Sequence, residues 1–266
     1  MEQRLIFVYS NGTPVSEHTA ELLKTKLEQS GFQPTEEYSE NVELIVCIGG
    51  DGSFLEAVHK FDFPRVPFIG INTGHLGFFQ EILPEQLDEF IFNYAQGRYS
   101  LQPMSTVKAE VDFGDAKMYY RGLNEIVIKS YNSYTVHLNI SIGDSFIERF
   151  SGDGILVATA AGSTAYNYSL GGAIVDPRLR LLQVTPIAPM NTTAYRSFTS
   201  SILLPADLNL GIIPEKETEK IRIAVDGEEK YLENVKSISI GSSNRTVNLL
   251  RFQGYDFWNK VKTKFL

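Results

Sequence analysis

Leu44-Ile45-Val46-Cys47-Ile48-Gly49-Gly50-Asp51-Gly52-Ser53-Phe54-Leu55-Glu56-Ala57-Val58-His59 is the stretch that decides the fold. It opens as an apolar run of strand character, passes through a glycine turn holding the carboxylate of Asp51, and continues as a helix. The three glycines around Asp51 let the backbone reach positive φ and let a bulky ligand approach the main chain. The next helix points its unpaired N–H groups and the positive end of its dipole at the turn, so an anion, phosphate first of all, is the natural guest. The usual phosphate-loop patterns are missing. No G-x-x-x-x-G-K-[ST] occurs, and Leu55 stands where G-x-G-x-x-G needs its third glycine. An acid set among phosphates implies a chemical or metal-linked task. Gly-Asp-Gly also serves as a simple connection, but the strand-to-helix context and the hydroxyl of Ser53 weigh against that reading.

Outward from this turn, apolar strands alternate with amphipathic helices. Strands are expected at Leu5 to Tyr9, Glu43 to Ile48 and Pro67 to Ile71, and helices at Ser16 to Ser30, Ser53 to Phe61 and Pro84 to Ala95. This is the pattern of a mostly parallel, Rossmann-like sheet with helices on its faces. Ligands gather at the carboxyl ends of such strands. The glycine turns at 49 to 52 and within Asn72-Thr73-Gly74-His75-Leu76-Gly77-Phe78-Phe79 both lie there, so they are expected to converge. After residue 100 the texture changes to short strands with turn signals at Gly114-Asp115, Gly143-Asp144 and Asp226-Gly227. A helix-like insertion, Ser163 to Leu170, interrupts them, and Tyr255 to Leu266 reads as a last helix with Phe257, Trp258, Val261 and Phe265 on roughly one packing face. The expected organisation is an α/β nucleotide-binding domain at 1–100, completed by the helix at 254–266, and an all-β, antiparallel, sandwich-like domain at 101–253.

With 266 residues, 43% hydrophobic and 21% charged, the composition is that of an ordinary globular protein. A net charge of −8 argues against a nucleic-acid binder, which needs a concentrated basic face. A polyanionic ligand would need backbone amides, a few Lys or Arg side chains, or a divalent cation, most naturally Mg²⁺. The run Leu5-Ile6-Phe7-Val8 is too short for a signal-peptide core and no span of membrane length follows, which makes no membrane and a cytoplasmic location the expectation. The single cysteine, Cys47, lies in an apolar strand and reads as a buried hydrophobe. The four histidines show no metal-ligand spacing, and His75 reads as a turn residue.

Several polar residues have two readings. In Leu123-Asn124-Glu125-Ile126-Val127-Ile128 the amide could satisfy backbone groups and the carboxylate face solvent. On the residues alone that reading is favoured, although the amide also offers a donor and an acceptor and the carboxylate suits two vicinal hydroxyls. Gly162-Ser163-Thr164 reads as a turn feeding a helix by N-capping. Asp153, in Gly152-Asp153-Gly154, and Asp226, in a hairpin, are good turn residues.

Together, Gly49 to Leu55, Asn72 to Phe78, Asn124-Glu125 and Gly162-Ser163-Thr164-Ala165-Tyr166-Asn167 resemble, in type and in order, the signature segments of the NAD kinases, along nearly the whole chain. The first turn alone is also similar to the GGDGT motif of diacylglycerol, sphingosine and phosphofructokinase relatives. The resemblance implies transfer of phosphate from ATP to the 2'-hydroxyl of the adenosine ribose of NAD⁺, giving NADP⁺ and ADP, with Mg²⁺ assisting. It implies Asp51 as general base or orienter of that hydroxyl. Phosphate would lie on Gly49, Gly50, Gly52 and Ser53, and NAD⁺ on Asp51, Gly52, Asn124, Glu125, Thr164, Ala165, Tyr166 and Ser169. Toward the nicotinamide it implies Ser151, Asp153, Ala188 and Asp226. Because the Asp153-type contact can cross a subunit boundary, it also implies a homo-oligomer, a tetramer, with a shared site. The chain departs from the family pattern in having Ser53 for the commoner Thr, and Thr159-Ala160-Ala161-Gly162 for Thr-Pro-Thr-Gly. A lipid or sugar kinase of the GGDG type and a non-catalytic dinucleotide sensor are the rival classes. The first lacks the later segments, and the second would have no need of Asp51.

Overall fold

The computed structural model describes residues 4–75, 77–132, 134–193, 195–216 and 220–265. Leu76 of the second glycine turn and Leu266 of the expected last helix lie outside them. The chain forms two compact units, one of residues 1–103 with 246–266 and one of residues 104–245.

In the first unit, strands Gln33–Thr35, Leu5–Ser10, Leu44–Gly49 and Phe68–Asn72 run parallel in that spatial order. Gln80–Ile82 pairs parallel with Phe68–Asn72, and Leu249 of the last strand pairs parallel with Phe68. Every residue of Leu44–Gly49 is buried, as befits a parallel strand covered on both faces. On one face Ile6, Val8, Leu44, Val46 and Ile48 pack with Ala20, Leu23 and Leu27 of helix Pro14–Gln29 and with Phe90, Ile91 and Tyr94 of helix Leu87–Ala95. On the other, Phe7 meets Phe61 edge-on, and Phe54 of helix Asp51–Lys60 packs on Phe68. Each fully buried side chain of this size contributes roughly 1.5–3 kcal/mol. Helix Pro14–Gln29 starts two residues before the expected Ser16, because Thr13 caps Ser16 N–H with Pro14 at the first position. Two three-residue strands, Gln33–Thr35 and Gln80–Ile82, are additions to the sequence reading.

The second unit is a β-sandwich. One sheet runs Leu210–Pro214 beside Val136–Ile142 and Ser145–Gly152, all antiparallel. The other orders Ile202–Pro205, Leu181–Ile187, Gly154–Thr159, Glu125–Ser130, Ile221–Val225 and Glu228–Leu232, also antiparallel. Ile126, Ile128, Ile155, Val157, Leu182 and Val184 from this sheet meet Leu138, Ile140, Phe150, Leu210 and Ile212 from the first in one core. The strands are not uniformly short: Tyr99–Asp112 spans 14 residues and Ser237–Phe252 spans 16. The expected helix from Ser163 resolves into a 3-10 turn, Ala161–Thr164, and one α-turn, Tyr166–Ser169, separated by Ala165 at ψ −135°. No helix among the described residues is long and apolar enough to cross a membrane.

Candidate active site

In the first unit, register brings the two glycine turns together. Gly49 pairs with Asn72, so both strands end side by side, and Thr73 N–H donates to Gly49 O. The helix begins at Asp51, with Gly50 as its cap, and not at Ser53. Asp51 is thus a first-turn residue, where a carboxylate complements the dipole, and the N–H groups of the first turn have no intrahelical partners. The Asp51 carboxylate accepts from Phe78 N–H at 2.9 Å and from Phe79 N–H at 3.0 Å, one on each oxygen. Each oxygen keeps a lone pair for a substrate hydroxyl. Lys264 Nζ stands 3.9 Å from Oδ2, and 28% of the Asp51 side chain is exposed. Ser53 is buried, and a Cβ on Gly49 would lie 2.3 Å from its Oγ, so the hydroxyl backs the turn. Phe79 stacks on Phe54 and Phe78 packs with Phe257 and Phe265, which assigns both to packing; His75 is exposed.

Gly77 is needed here for space. A Cβ on it would fall 2.2 Å from Asp51 Oδ1, so no side chain fits while the carboxylate holds its place. Gly77→Ala is expected to displace Asp51 and, with Asp51 as the base that the family resemblance implies, to lower kcat roughly 100-fold, the usual cost of a misplacement of about 1 Å. Steady-state kinetics beside a thermal melt would show this as lost turnover in a folded protein.

In the second unit, Asn124 and Glu125 enter the strand Glu125–Ser130 and are both buried. Asp226, at φ +48° in its hairpin, turns its carboxylate onto their main chain, accepting from Leu123 N–H at 2.6 Å, Asn124 N–H at 2.7 Å and Glu125 N–H at 3.0 Å. From the other side, Thr159 N–H donates to Asn124 O, Thr159 Oγ1 donates to Leu123 O, and Gly162 lies so close that its Cβ would be 2.1 Å from Asn124 O. The ledge so fixed presents two buried oxygens without partners, Asn124 Oδ1 and Glu125 Oε2. Burial, and then the neighbouring Asp226 charge, pushes the Glu125 carboxyl up to about 8. Such a group is protonated at neutral pH until a ligand supplies hydrogen bonds.

Ser163 does not cap a helix; its hydroxyl bridges Val175 N–H and O. Thr164 and Ala165 are half-buried and Ser169 is exposed. Tyr166 OH accepts from Lys129 Nζ at 2.9 Å, and both line a cavity of about 160 Å³ with Val127, Arg222, Ala224 and Gly227. Ser151, Asp153 and Ala188 lie elsewhere, at the opposite end of Gly154–Thr159. Asp153 N–H donates to Ile187 O, Ser151 is buried with its amide on Ser197 Oγ, and Ala188 takes φ +43°. Along a six-residue strand the two groups stand roughly 17–20 Å apart. Cys47 is fully buried, which pushes its thiol far up and leaves it inert.

Residues 13–99 match the ATP-NAD kinase N-terminal domain and residues 123–252 match the ATP-NAD kinase C-terminal domain. An NAD kinase of Finegoldia magna is 40% identical over 99% of this chain and 98% of its own length. The chain belongs to the NAD kinase family. An NAD kinase of Staphylococcus carnosus is 34% identical over 86% of each chain. The fold is shared with a yeast NADH kinase solved with NADH, at TM-score 0.84 and 20% identity, over 99% of this chain and 87% of that one. It is shared also with an Archaeoglobus fulgidus NAD kinase solved with ATP, at TM-score 0.77 and 22% identity, over 97% of this chain and 99% of that one. The two NAD kinase domain matches contain the Asp51 turn and the Asn124–Glu125 ledge respectively, and both end before the helix Phe257–Phe265. That helix was expected from the sequence; what motif reading alone did not reveal is that it brings Lys264 within 3.9 Å of Asp51, that Gly77 has no room for a side chain, and that Asp226 receives three N–H groups.

Proposed function

We propose that this NAD kinase moves the terminal phosphoryl group of ATP to the 2'-hydroxyl of the adenosine ribose of NAD⁺, with Asp51 as general base. Phosphoryl transfer asks little covalent chemistry of a protein; it asks for positioning and charge neutralisation. Asp51 would take the hydrogen bond, then the proton, of the ribose hydroxyl through a lone pair left by Phe78 and Phe79. Phosphate would rest on the amides of Gly50, Gly52 and Ser53 behind Gly49, at the start of helix Asp51–Lys60. Asn124 and Glu125 would hold the adenosine ribose, with Thr164, Ala165, Tyr166 and Ser169 toward the base. Ser151, Asp153 and Ala188, a strand's length away, suit the nicotinamide end of an extended dinucleotide. Asp226 enters as the anchor of Asn124 and Glu125, because its carboxylate already receives three N–H groups.

Among the described residues no group of three or more His, Cys, Asp or Glu side chains is arranged to hold a metal. A Mg²⁺ ion would therefore travel with the ATP phosphates and water as part of the substrate. The exposed Asp153 is accessible to a neighbouring subunit, as the homo-oligomer, a tetramer, that the family resemblance implies would require, and a cytoplasmic location is part of the same proposal. A monomer in sedimentation at assay concentration would remove the shared site.

The two unpartnered oxygens of Asn124 and Glu125 support this reading most directly, since a ribose supplies the donors they lack. With the Glu125 carboxyl at about 8, NAD⁺ binding at pH 7 should release a proton as ribose hydroxyls begin to donate to it. Calorimetry in buffers of different ionisation enthalpy would detect the release, and Glu125→Gln should abolish it. The same group shapes stability. Between its ordinary 4.5 and about 8 the native state binds more protons than the unfolded chain, so stability falls as pH rises through that window. Glu125→Gln should escape that fall and gain on the order of 3 kcal/mol over the parent by pH 8. Equal proton release in parent and variant would remove Glu125 from the site. The activity itself is tested by incubation with NAD⁺, ATP and Mg²⁺, reading NADP⁺ with an NADP-specific dehydrogenase, beside a polyphosphate arm. NAD⁺ binding without product in either arm would favour a sensor.

A further inference from the structure

Helix Phe257–Phe265 reaches the Asp51 turn from more than 200 positions along the chain. Phe257 and Phe265 each place a ring centroid 5.8 Å from that of Phe78, the residue whose N–H holds one Asp51 oxygen. One turn in, the Lys260 ammonium donates to Gly77 O at 3.3 Å and to Gln80 O. These carbonyls bracket the two residues, Phe78 and Phe79, that hold the carboxylate. The Gly77 carbonyl and the Phe78 N–H belong to a single peptide group. A cation on its oxygen polarises its N–H toward Asp51, so ammonium, peptide and carboxylate form one aligned chain in a half-buried setting.

We propose that Lys260 is a positioning residue for Asp51, clamping the segment Gly77 to Gln80 and strengthening through the Gly77–Phe78 peptide the hydrogen bond that orients the carboxylate. This rests on the reading of Asp51 as the base. Lys260 is itself fixed. Arg251 pairs with Glu81 at 3.0 Å and with Gln102, and its guanidinium lies 3.7 Å from the Tyr255 ring centroid, while Lys260 sits 5.3 Å from the same centroid. The charged groups around Lys260 are Arg251, Glu81, Asp51 and Lys264, and burial outweighs them, bringing its ammonium down to about 8.

The proton on Lys260 is therefore present at pH 7 and lost above about pH 8, and kcat should fall along an alkaline limb there. Stability moves the other way. From about 8 to its ordinary 10.5 the unfolded chain holds a proton on this lysine that the native state does not, so the contribution of this group rises with pH as activity falls. A merely structural lysine would not separate the two.

Lys260→Met keeps the apolar stem and removes the charge. It should lower kcat by roughly 10–100-fold, leave KM for NAD⁺ nearly unchanged, and lose the alkaline limb. In the Asp51→Asn background it should cost nothing further, since its effect passes through the carboxylate. Turnover of Lys260→Met equal to the parent, or an undiminished loss on top of Asp51→Asn, would overturn the proposal. Should the variant not fold, the parent decides: a flat kcat from pH 7 to beyond the titration of Lys260 overturns it equally. Parent-like turnover of Asp51→Asn would instead remove the catalytic reading itself.

Discussion

Asp51→Asn is expected to lose roughly 10²–10⁴-fold in kcat, the range that a positioned general base contributes, while keeping its fold and most of its NAD⁺ affinity. Asparagine keeps one acceptor oxygen for either Phe78 or Phe79 N–H and turns an NH₂ toward the other, so one of two hydrogen bonds survives. Phe79 stacked on Phe54, and Phe78 between Phe257 and Phe265, hold the segment in either case. The variant therefore isolates the chemistry from the scaffold. Coupled kinetics and calorimetric NAD⁺ binding on the same sample would check it. A raised KM with unchanged kcat would make Asp51 a ground-state ligand, and turnover equal to the parent would remove it from the mechanism.

Asp226→Asn is the second large effect, and it should appear in stability and binding before rate. Asparagine tolerates the φ of +48° at this hairpin, so the backbone is not strained. The amide, however, must set its NH₂ against either Leu123 N–H or the N–H groups of Asn124 and Glu125, replacing an acceptor by a donor at a buried site. Losing charge-assisted hydrogen bonds and leaving a donor unpaired costs about 2–4 kcal/mol, measurable by denaturant unfolding. With Asn124 and Glu125 no longer anchored, NAD⁺ affinity should drop about tenfold or more, a loss of about 1.4 kcal/mol for each factor of ten. Glu125 should also titrate lower, since a neighbouring negative charge has gone. Unchanged stability and affinity would mean that the triple hydrogen bond is not what holds the ledge.

What could be read in the sequence depended on how local its cause was. Leu44–Gly49 is apolar over its whole length and Leu5–Ser10 up to its closing serine, and the turn after the first of them needs glycine for steric reasons, so strand, turn and helix were legible together. The helix start was misread by two residues because a hydroxyl at Ser53 looks like a cap, whereas Gly50 caps without a side chain. Gln33–Thr35, three residues with a proline at its centre, has no period to detect. The helix expected from Ser163 failed at Ala165, where the backbone breaks so that Ser163 can bond Val175. In the last helix, Phe257, Val261 and Phe265 recur every four residues and face inward, but Trp258 is one residue out of phase and is half exposed. Among the candidate residues, Asp51, Asn124 and Glu125 are expected from motif and residue type. Lys260 is not, because its value lies in two carbonyls some 180 residues away.

The chain leaves the first unit within strand Tyr99–Asp112 and returns to it within strand Ser237–Phe252. On the ribosome, residues 1–103 emerge before residues 104–245 yet must wait for the segment that follows residue 245, since Leu250 and Phe252 belong to their core and Lys260 bonds the Gly77 carbonyl. The β-sandwich, though later in sequence, is the first unit whose parts are all available to fold. A nascent chain arrested before residue 246 would therefore hold all of the β-sandwich unit while the apolar sheet of the first unit still lacks Leu250 and Phe252, the form most in need of a chaperone and one in which Lys260 is not yet there to bond Gly77 and Gln80.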